Sequence, residues 1–293
     1  MSASSFCLVV DAACDLPFAT VAHPQLRILP FHVVVGKTDI IDRREPEIIE
    51  KFCRENLSSP DASGGHSEPM SVDEMVDAFG REIALQYDEG LGVFVTSTRS
   101  PTYSRAKSAV ARARVSSYAP RLKAGMTKPM KVDCLDSKSA FSGYAAQVLD
   151  LMDLVDAGQG IEQVMARQSA TVNQTYVYMA PGDVAYILQR ASLKGEKSVS
   201  GLAAFAAKTL NITPIIRGHR GESAPVARKF GRAKAQQALF TMAQNMMERG
   251  LLQSKHVCFS YSGAVADISA QPGYKELLDV AKKHNAQVHL VPM

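Results

Sequence analysis

Phe6-Cys7-Leu8-Val9-Val10-Asp11-Ala12-Ala13-Cys14-Asp15-Leu16-Pro17 is the stretch on which the fold turns. The uninterrupted apolar run over 6–10 lacks the polar alternation of a half-exposed strand, so it reads as a strand covered on both faces of a parallel sheet. Asp11 ends the run, and the second aspartate and the proline that follow mark a loop at its carboxyl end.

The same unit recurs downstream. Residues 91–95 read as a buried strand, followed by Thr96-Ser97-Thr98-Arg99-Ser100-Pro101-Thr102-Tyr103 and a helix over 102–117. Residues 130–135 form another strand, followed by Asp136-Ser137-Lys138-Ser139 and a helix over 137–155. Between the first two units lie an extended region over 26–41, turning at Gly36-Lys37-Thr38-Asp39, and a helix over 43–56 with Pro46 near its start. A loop over 58–65 precedes a helix over 71–87, whose Ser71 and Glu74 are spaced as a capping box. Strands alternating with helices predict an α/β fold with a mostly parallel sheet flanked by helices.

From Thr171 the pattern changes. A strand over 175–179, short helices over 182–190 and 199–210, and paired strands over 213–216 and 224–229 replace the crossover units with a hairpin. A helix over 233–249, a strand over 256–261, a helix over 274–284 and a strand over 287–292 follow. The expectation is two domains, 1–171 and 172–293, the second mixed α/β, with the ligand between them. The 293-residue length fits this, since single cores stop growing at about 250 to 300 residues.

Composition narrows the function. A net charge of +4 with interspersed signs does not favour nucleic acid as a partner. Five scattered cysteines without metal-binding spacing predict a reducing compartment and no metal. No apolar stretch approaches the roughly 20 residues of a membrane span, and the start lacks a basic leader, so a cytoplasmic protein without stable membrane insertion is expected. No phosphate-binding glycine loop is present, so no nucleotide cofactor is expected.

Ligands of parallel α/β sheets bind beyond the carboxyl ends of the strands, where amides and helix N-termini converge. The loops after residues 10, 95 and 135 therefore hold the candidate site, joined by Gly64-Gly65-His66-Ser67-Glu68-Pro69. Taken alone, Asp11 and Asp15 read equally well as caps, Ser97 as a cap, His66 as a solvated loop residue and Tyr261 as a packed strand residue.

In their order these motifs resemble the DegV family. Asp11, Asp15, Leu16 and Pro17 match its D-S-x-x-D-L-P, with Ala12 for the serine. His66-Ser67-Glu68-Pro69 stands in place of T-S-Q-P. Ser97, Ser100, Thr102 and Tyr103 match S-S-x-L-S-G-T-Y, with Arg99 and Pro101 departing from it. Asp136-Ser137 matches the next D-S, and Leu210-Asn211-Ile212-Thr213-Pro214-Ile215-Ile216 resembles L-x-I-K-P-I-L.

The resemblance implies a non-catalytic protein that buries a long-chain fatty acid between its domains. It would present the carboxylate to the separate catalytic subunit of a fatty acid kinase, with no cofactor of its own. The carboxylate-binding residues it implies are Ser97, His66 and Ser67, with Tyr261 where the family has a histidine. The basic cluster around the hairpin, including Arg217 and Arg228, is a candidate docking surface for the kinase, with plain solvated charge as its competitor. A second reading makes Ser97 the nucleophile of a hydrolase or acyltransferase, with His66 as base and Asp11 or Asp136 orienting it. A third has the pocket retuned for another amphiphile.

Overall fold

A computed structural model of the protein describes residues 6–35, 37–54, 65–193, 211–262 and 265–293. The helix expected over 199–210 and nearly all of the loop expected over 58–65 lie outside these residues.

Strand β1 (Phe6–Asp11) is buried at every position because its side chains feed two cores. Phe6, Leu8 and Val10 enter one cluster and Cys7 and Val9 the other, as the two-residue period of a strand requires. A single turn, α1 (Phe18–Val21), leads to β2 (Leu26–Leu29), which pairs with β1 in parallel. Pro30 has no N–H to continue the ladder, and the chain leaves the sheet there. It turns back as the hairpin β3 (Phe31–Val35) and β4 (Thr38–Asp42), so the extended region expected over 26–41 is three strands in two sheets.

Helix α2 (Pro46–Arg54) follows, and then β5 (His66–Pro69), antiparallel to β3. The sequence reading treated 66–69 as loop, because Gly65 and Pro69 are turn residues. On an edge strand a proline is tolerated, and Pro69 lies opposite Phe31 while Ser67 lies opposite Val33. Helix α3 (Val72–Ala78) starts at the expected capping box: the Glu74 amide donates to Ser71 Oγ at 3.3 Å and the Ser71 amide to Glu74 Oε2 at 2.7 Å. It continues into a π-helical turn at Phe79–Ile83.

Next come β6 (Glu89–Phe94), α4 (Thr102–Ser116), α5 (Tyr118–Lys123), β7 (Lys131–Asp136), α6 (Phe141–Asp156) and α7 (Ile161–Thr171). The sheet runs β2-β1-β6-β7, all parallel. Tyr144, Val148 and Leu151 of α6 and Val164 of α7 cover the face fed by Leu8 and Val10. Met75 of α3, Phe79, and Ala106 and Ala109 of α4 cover the other. Helices α5 and α7 are absent from the sequence reading.

The remainder is mixed. Strands β8 (Tyr176–Met179), β9 (Ile212–His219) and β10 (Glu222–Phe230) form an antiparallel sheet ordered β10-β9-β8, with α8 (Val184–Leu193) against Met179 and Ile216. Helix α9 (Arg232–Glu248), β11 (His256–Tyr261), α10 (Val265–Ser269), α11 (Tyr274–Lys283) and β12 (Gln287–Pro292) complete the described chain. Strands β11 and β12 pair in parallel beneath Phe240, Met247, Leu277 and Ala281 of α9 and α11. The expected fold class, a two-domain α/β protein with a mostly parallel sheet flanked by helices first and a mixed α/β part after it, holds.

Two glycines set how the halves meet. A Cβ on Gly143 of α6 would lie 2.6 Å from Ser139 Oγ and 3.0 Å from Val177 Cβ, so the absence of a side chain here favours the close approach of α6 to β8. Gly221 turns the β9–β10 hairpin at φ +81, and a Cβ there would lie 2.7 Å from Thr96 Oγ1. Its amide donates to Lys138 O at 2.9 Å, and Thr98 Oγ1 donates to its carbonyl at 2.6 Å. The hairpin tip is thereby fastened to the loops after β6 and β7. Among the described residues, no helix is long and apolar enough to cross a membrane.

Candidate functional site

The loops at the carboxyl ends of β1, β6 and β7 are held by aspartates. Asp11 is fully buried: Oδ1 accepts from the Ala13 amide at 3.0 Å and Oδ2 from the Val95 amide at 2.8 Å. Burial pushes its carboxyl up to about 7, against the opposing pull of those two amides. Tyr144 reinforces this junction, its hydroxyl accepting from the Asp11 amide at 3.3 Å and donating to Val93 O. Asp15 is equally buried and lies 3.5 Å from Arg44 Nη1, while Arg44 Nη2 donates to Pro292 O at 2.6 Å. Burial raises Asp15 to about 6, with Arg44 and the Ser260 hydroxyl pulling it back down. Asp11 therefore braces the backbone, the capping role that its position after a strand first suggests, while Asp15 is held by the Arg44 side chain.

Ser97 is exposed just beyond β6. Its hydroxyl donates to Asp136 Oδ2 at 2.6 Å and its amide to the same oxygen at 3.2 Å, while the Lys138 amide takes Oδ1 at 2.7 Å. His66 opens β5 opposite Val34, with Nε2 at 3.4 Å from Glu68 Oε1, and Ser67 lies opposite Val33. Tyr261 ends β11 opposite Pro292. The four expected carboxylate contacts thus stand on three separate elements, each described by its own partners. Arg228 is exposed on β10 opposite Pro214, whereas Arg217, on β9, is half-buried and lines a cavity.

This geometry counts against the hydrolase arrangement. Asp11 is fully buried with an amide on each oxygen, His66 Nε2 lies against Glu68, and the Ser97 hydroxyl donates its hydrogen bond to Asp136 rather than to an imidazole. A nucleophilic serine needs a base that accepts its proton at neutral pH, and a histidine orients it for attack.

A cavity of about 680 Å³ lies between α6 on one side and β8, β9, α9 and β11 on the other. Leu239, Met242, Ala243 and Met246 form its apolar wall. They recur at the helical spacing of one face, the one sequence signal that could have located it. Most of its polar groups are matched within the protein. Asp150 accepts from Arg167 at 2.6 Å, and Gln147 donates to Ser137 O and accepts from Gln168, both at 3.0 Å. His256 Nε2 is 2.9 Å from Asp153 Oδ2, and its Nδ1 is 3.0 Å from His289 Nε2. Burial, and then the neighbouring His256, lower the affinity of His289 for a proton. Ser260 of β11 lines the cavity too, whereas Ser97, His66, Ser67 and Tyr261 are not among its lining residues. Among the described residues no cluster of three or more His, Cys, Asp or Glu is arranged to hold a metal.

Known proteins share this architecture over its whole length. A DegV domain-containing protein of Xanthomonas axonopodis pv. citri is 30% identical over 285 residues, covering 96% of this chain and 89% of its own. The crystal structure of a DegV family protein from Ruminococcus gnavus, refined with vaccenic acid, superposes with a TM-score of 0.73 at 15% identity, covering 100% of this chain and 94% of that one. The Fatty Acid Kinase B3 protein of Streptococcus pneumoniae, loaded with linoleic acid, superposes with a TM-score of 0.69 at 17% identity, covering 98% and 92%. At such identities the structural likeness is one of fold. The model for uncharacterised proteins of the DegV family matches residues 5–293, and the chain belongs to that family.

Proposed function

We propose that this protein binds a long-chain fatty acid between its two domains, divided at residue 171, and presents the carboxylate to a separate fatty acid kinase subunit in the cytoplasm. The observation that carries this reading is the cavity between α6 and α9. Its volume of about 680 Å³ falls within the roughly 300 to 1,000 Å³ of small-molecule sites, and α9 gives it an apolar wall. A sixteen-carbon chain gains on the order of 12 kcal/mol of gross transfer energy, at about 0.8 kcal/mol per methylene, before the costs of binding. The vaccenic and linoleic acids in the Ruminococcus and Streptococcus proteins support the same class of ligand.

The carboxylate needs donors, since a desolvated unpaired anion would cancel much of that gain. Ser97, with His66, Ser67 and Tyr261, is the clamp we assign to it. To serve, the Ser97 hydroxyl must turn from Asp136 to the ligand, and Asp136 keeps the Ser97 and Lys138 amides when it does. The test is mass spectrometry of lipid extracted from the purified protein, with labelled palmitate binding to wild type, Ser97→Ala and His66→Ala. Co-purified fatty acid and about fivefold to tenfold weaker binding in Ser97→Ala are expected. A lipid-free protein with no saturable palmitate binding overturns the reading.

A further inference from the structure

Arg217 lines the cavity without a partner. Its Nε is buried and makes no hydrogen bond, and among the described residues the guanidinium has neither a hydrogen bond nor an ion pair. Its neighbours include the Tyr176 ring, 6.0 Å from the guanidinium carbon to the centroid, and Tyr178, whose ionised form its charge favours against the effect of burial. Strand register explains the aim of the side chain: Arg217 pairs with Tyr178, so the two project from the same face of the sheet, and both line the cavity with Tyr176. Elsewhere around the cavity Asp150 has Arg167, His256 has Asp153, and Gln147 has Gln168.

A plain alkyl chain would lay methylenes against this half-buried cation and strip its water with nothing in return, which is costly for an ionised donor. An oxygen on the chain would supply the missing acceptor, and charge-assisted hydrogen bonds are the stronger kind. We infer that the ligand preferred by this protein is an oxygenated acyl chain, bearing a hydroxyl or second carboxylate away from its terminal carboxyl, and that Arg217 recognises that oxygen. This rests on the fatty-acid reading above and names the ligand class within it. The pairing with the face of β9 also explains why an arginine here, one residue from the glycine packed against Val177, points inward and not to solvent on the hairpin edge.

The experiment is calorimetric titration of the delipidated full-length chain with palmitate, with the dicarboxylate of the same length, and with stearate against a mid-chain hydroxystearate. Oxygenated chains are expected to bind wild type about tenfold more tightly than their plain counterparts. Arg217→Met should erase that gap by weakening the oxygenated chains, and Arg217→Lys should keep part of it. Because the cation is unpaired, the unloaded Arg217→Met protein should melt no lower than wild type, which separates lost recognition from lost folding. Equal affinities in wild type overturn the inference, as does a gap that survives in Arg217→Met. So does a parallel fall in palmitate affinity in that variant, since Arg217 would then hold the terminal carboxylate. If none of the four chains binds wild type, the fatty-acid reading itself fails and takes this inference with it.

Discussion

The strand-end loops and the cavity are both rich in polar side chains, but they use them in opposite ways. In the loops, Asp11 is taken up by two amides, Asp136 by two amides and a hydroxyl, and Asp15 by Arg44. In the cavity, Asp150, Gln147 and His256 are paired, whereas Arg217 Nε and the Ser260 hydroxyl are buried without a hydrogen-bond partner. A dense motif therefore marks places where irregular backbone must be held, because buried amides need acceptors wherever the ladder stops. The group most available to a ligand, Arg217 on β9, stands just past the Leu210–Ile216 motif and outside its pattern.

If this division is right, the loops should be sensitive in stability and the cavity should not. The largest effect is expected from Arg44→Met. The side chains of Arg44 and Asp15 are 3% and 4% exposed, so the change strands a buried carboxylate and frees the Pro292 carbonyl. Breaking such a pair costs about 3 to 5 kcal/mol, and the lower end applies because Asp15 can take up a proton. Urea unfolding should show the loss; a change under about 1 kcal/mol would mean that this corner does not hold the fold.

Tyr144→Phe comes next, at about 2 kcal/mol, because it leaves the buried Val93 carbonyl without its donor. The stability of Arg217→Met, measured alongside, is the contrast that gives either number its meaning.

The third prediction uses pH. The folded-state pKa of Asp11, about 7, lies above its ordinary value of 3.8, so between these limits the native state holds a proton that the unfolded chain has released. Stability should accordingly fall as pH rises from about 4 toward about 7, and Asp15, raised to about 6, adds to the same slope. Asp11→Asn should flatten the dependence without abolishing it. An unchanged slope in that variant would show that Asp11 is ionised throughout.

These contrasts also mark what was legible in the sequence. The parallel core was, because a strand fed from both sides leaves an unbroken apolar run at 6–10 and again in β6. The strand at 66–69 was not, since its pairing with β3 joins residues far apart in the chain, such as Phe31 with Pro69, and its own residues favour turns. The motifs pointed to candidate residues for the site, but not to the bonds those residues make. Nothing local says that Ser97 gives its proton to Asp136, 39 positions away, or that Arg217 faces inward. Such relations come from tertiary packing, which a single sequence does not display.

Ser97→Ala is the smallest expected effect on the fold and the sharpest probe of the comparison. The residue is exposed, and its loss leaves Asp136 with the Ser97 and Lys138 amides at 3.2 and 2.7 Å, so stability should drop by only about 0.5 to 1 kcal/mol. Palmitate affinity should still fall about fivefold to tenfold, because the alanine has no hydroxyl to turn toward the carboxylate. A serine that matters to the ligand and scarcely to the fold would be the exception among the loop residues. Unchanged affinity with a loss of 2 kcal/mol or more would return Ser97 to the company of Asp11 and Asp15, as one more brace, and shift carboxylate recognition toward the cavity.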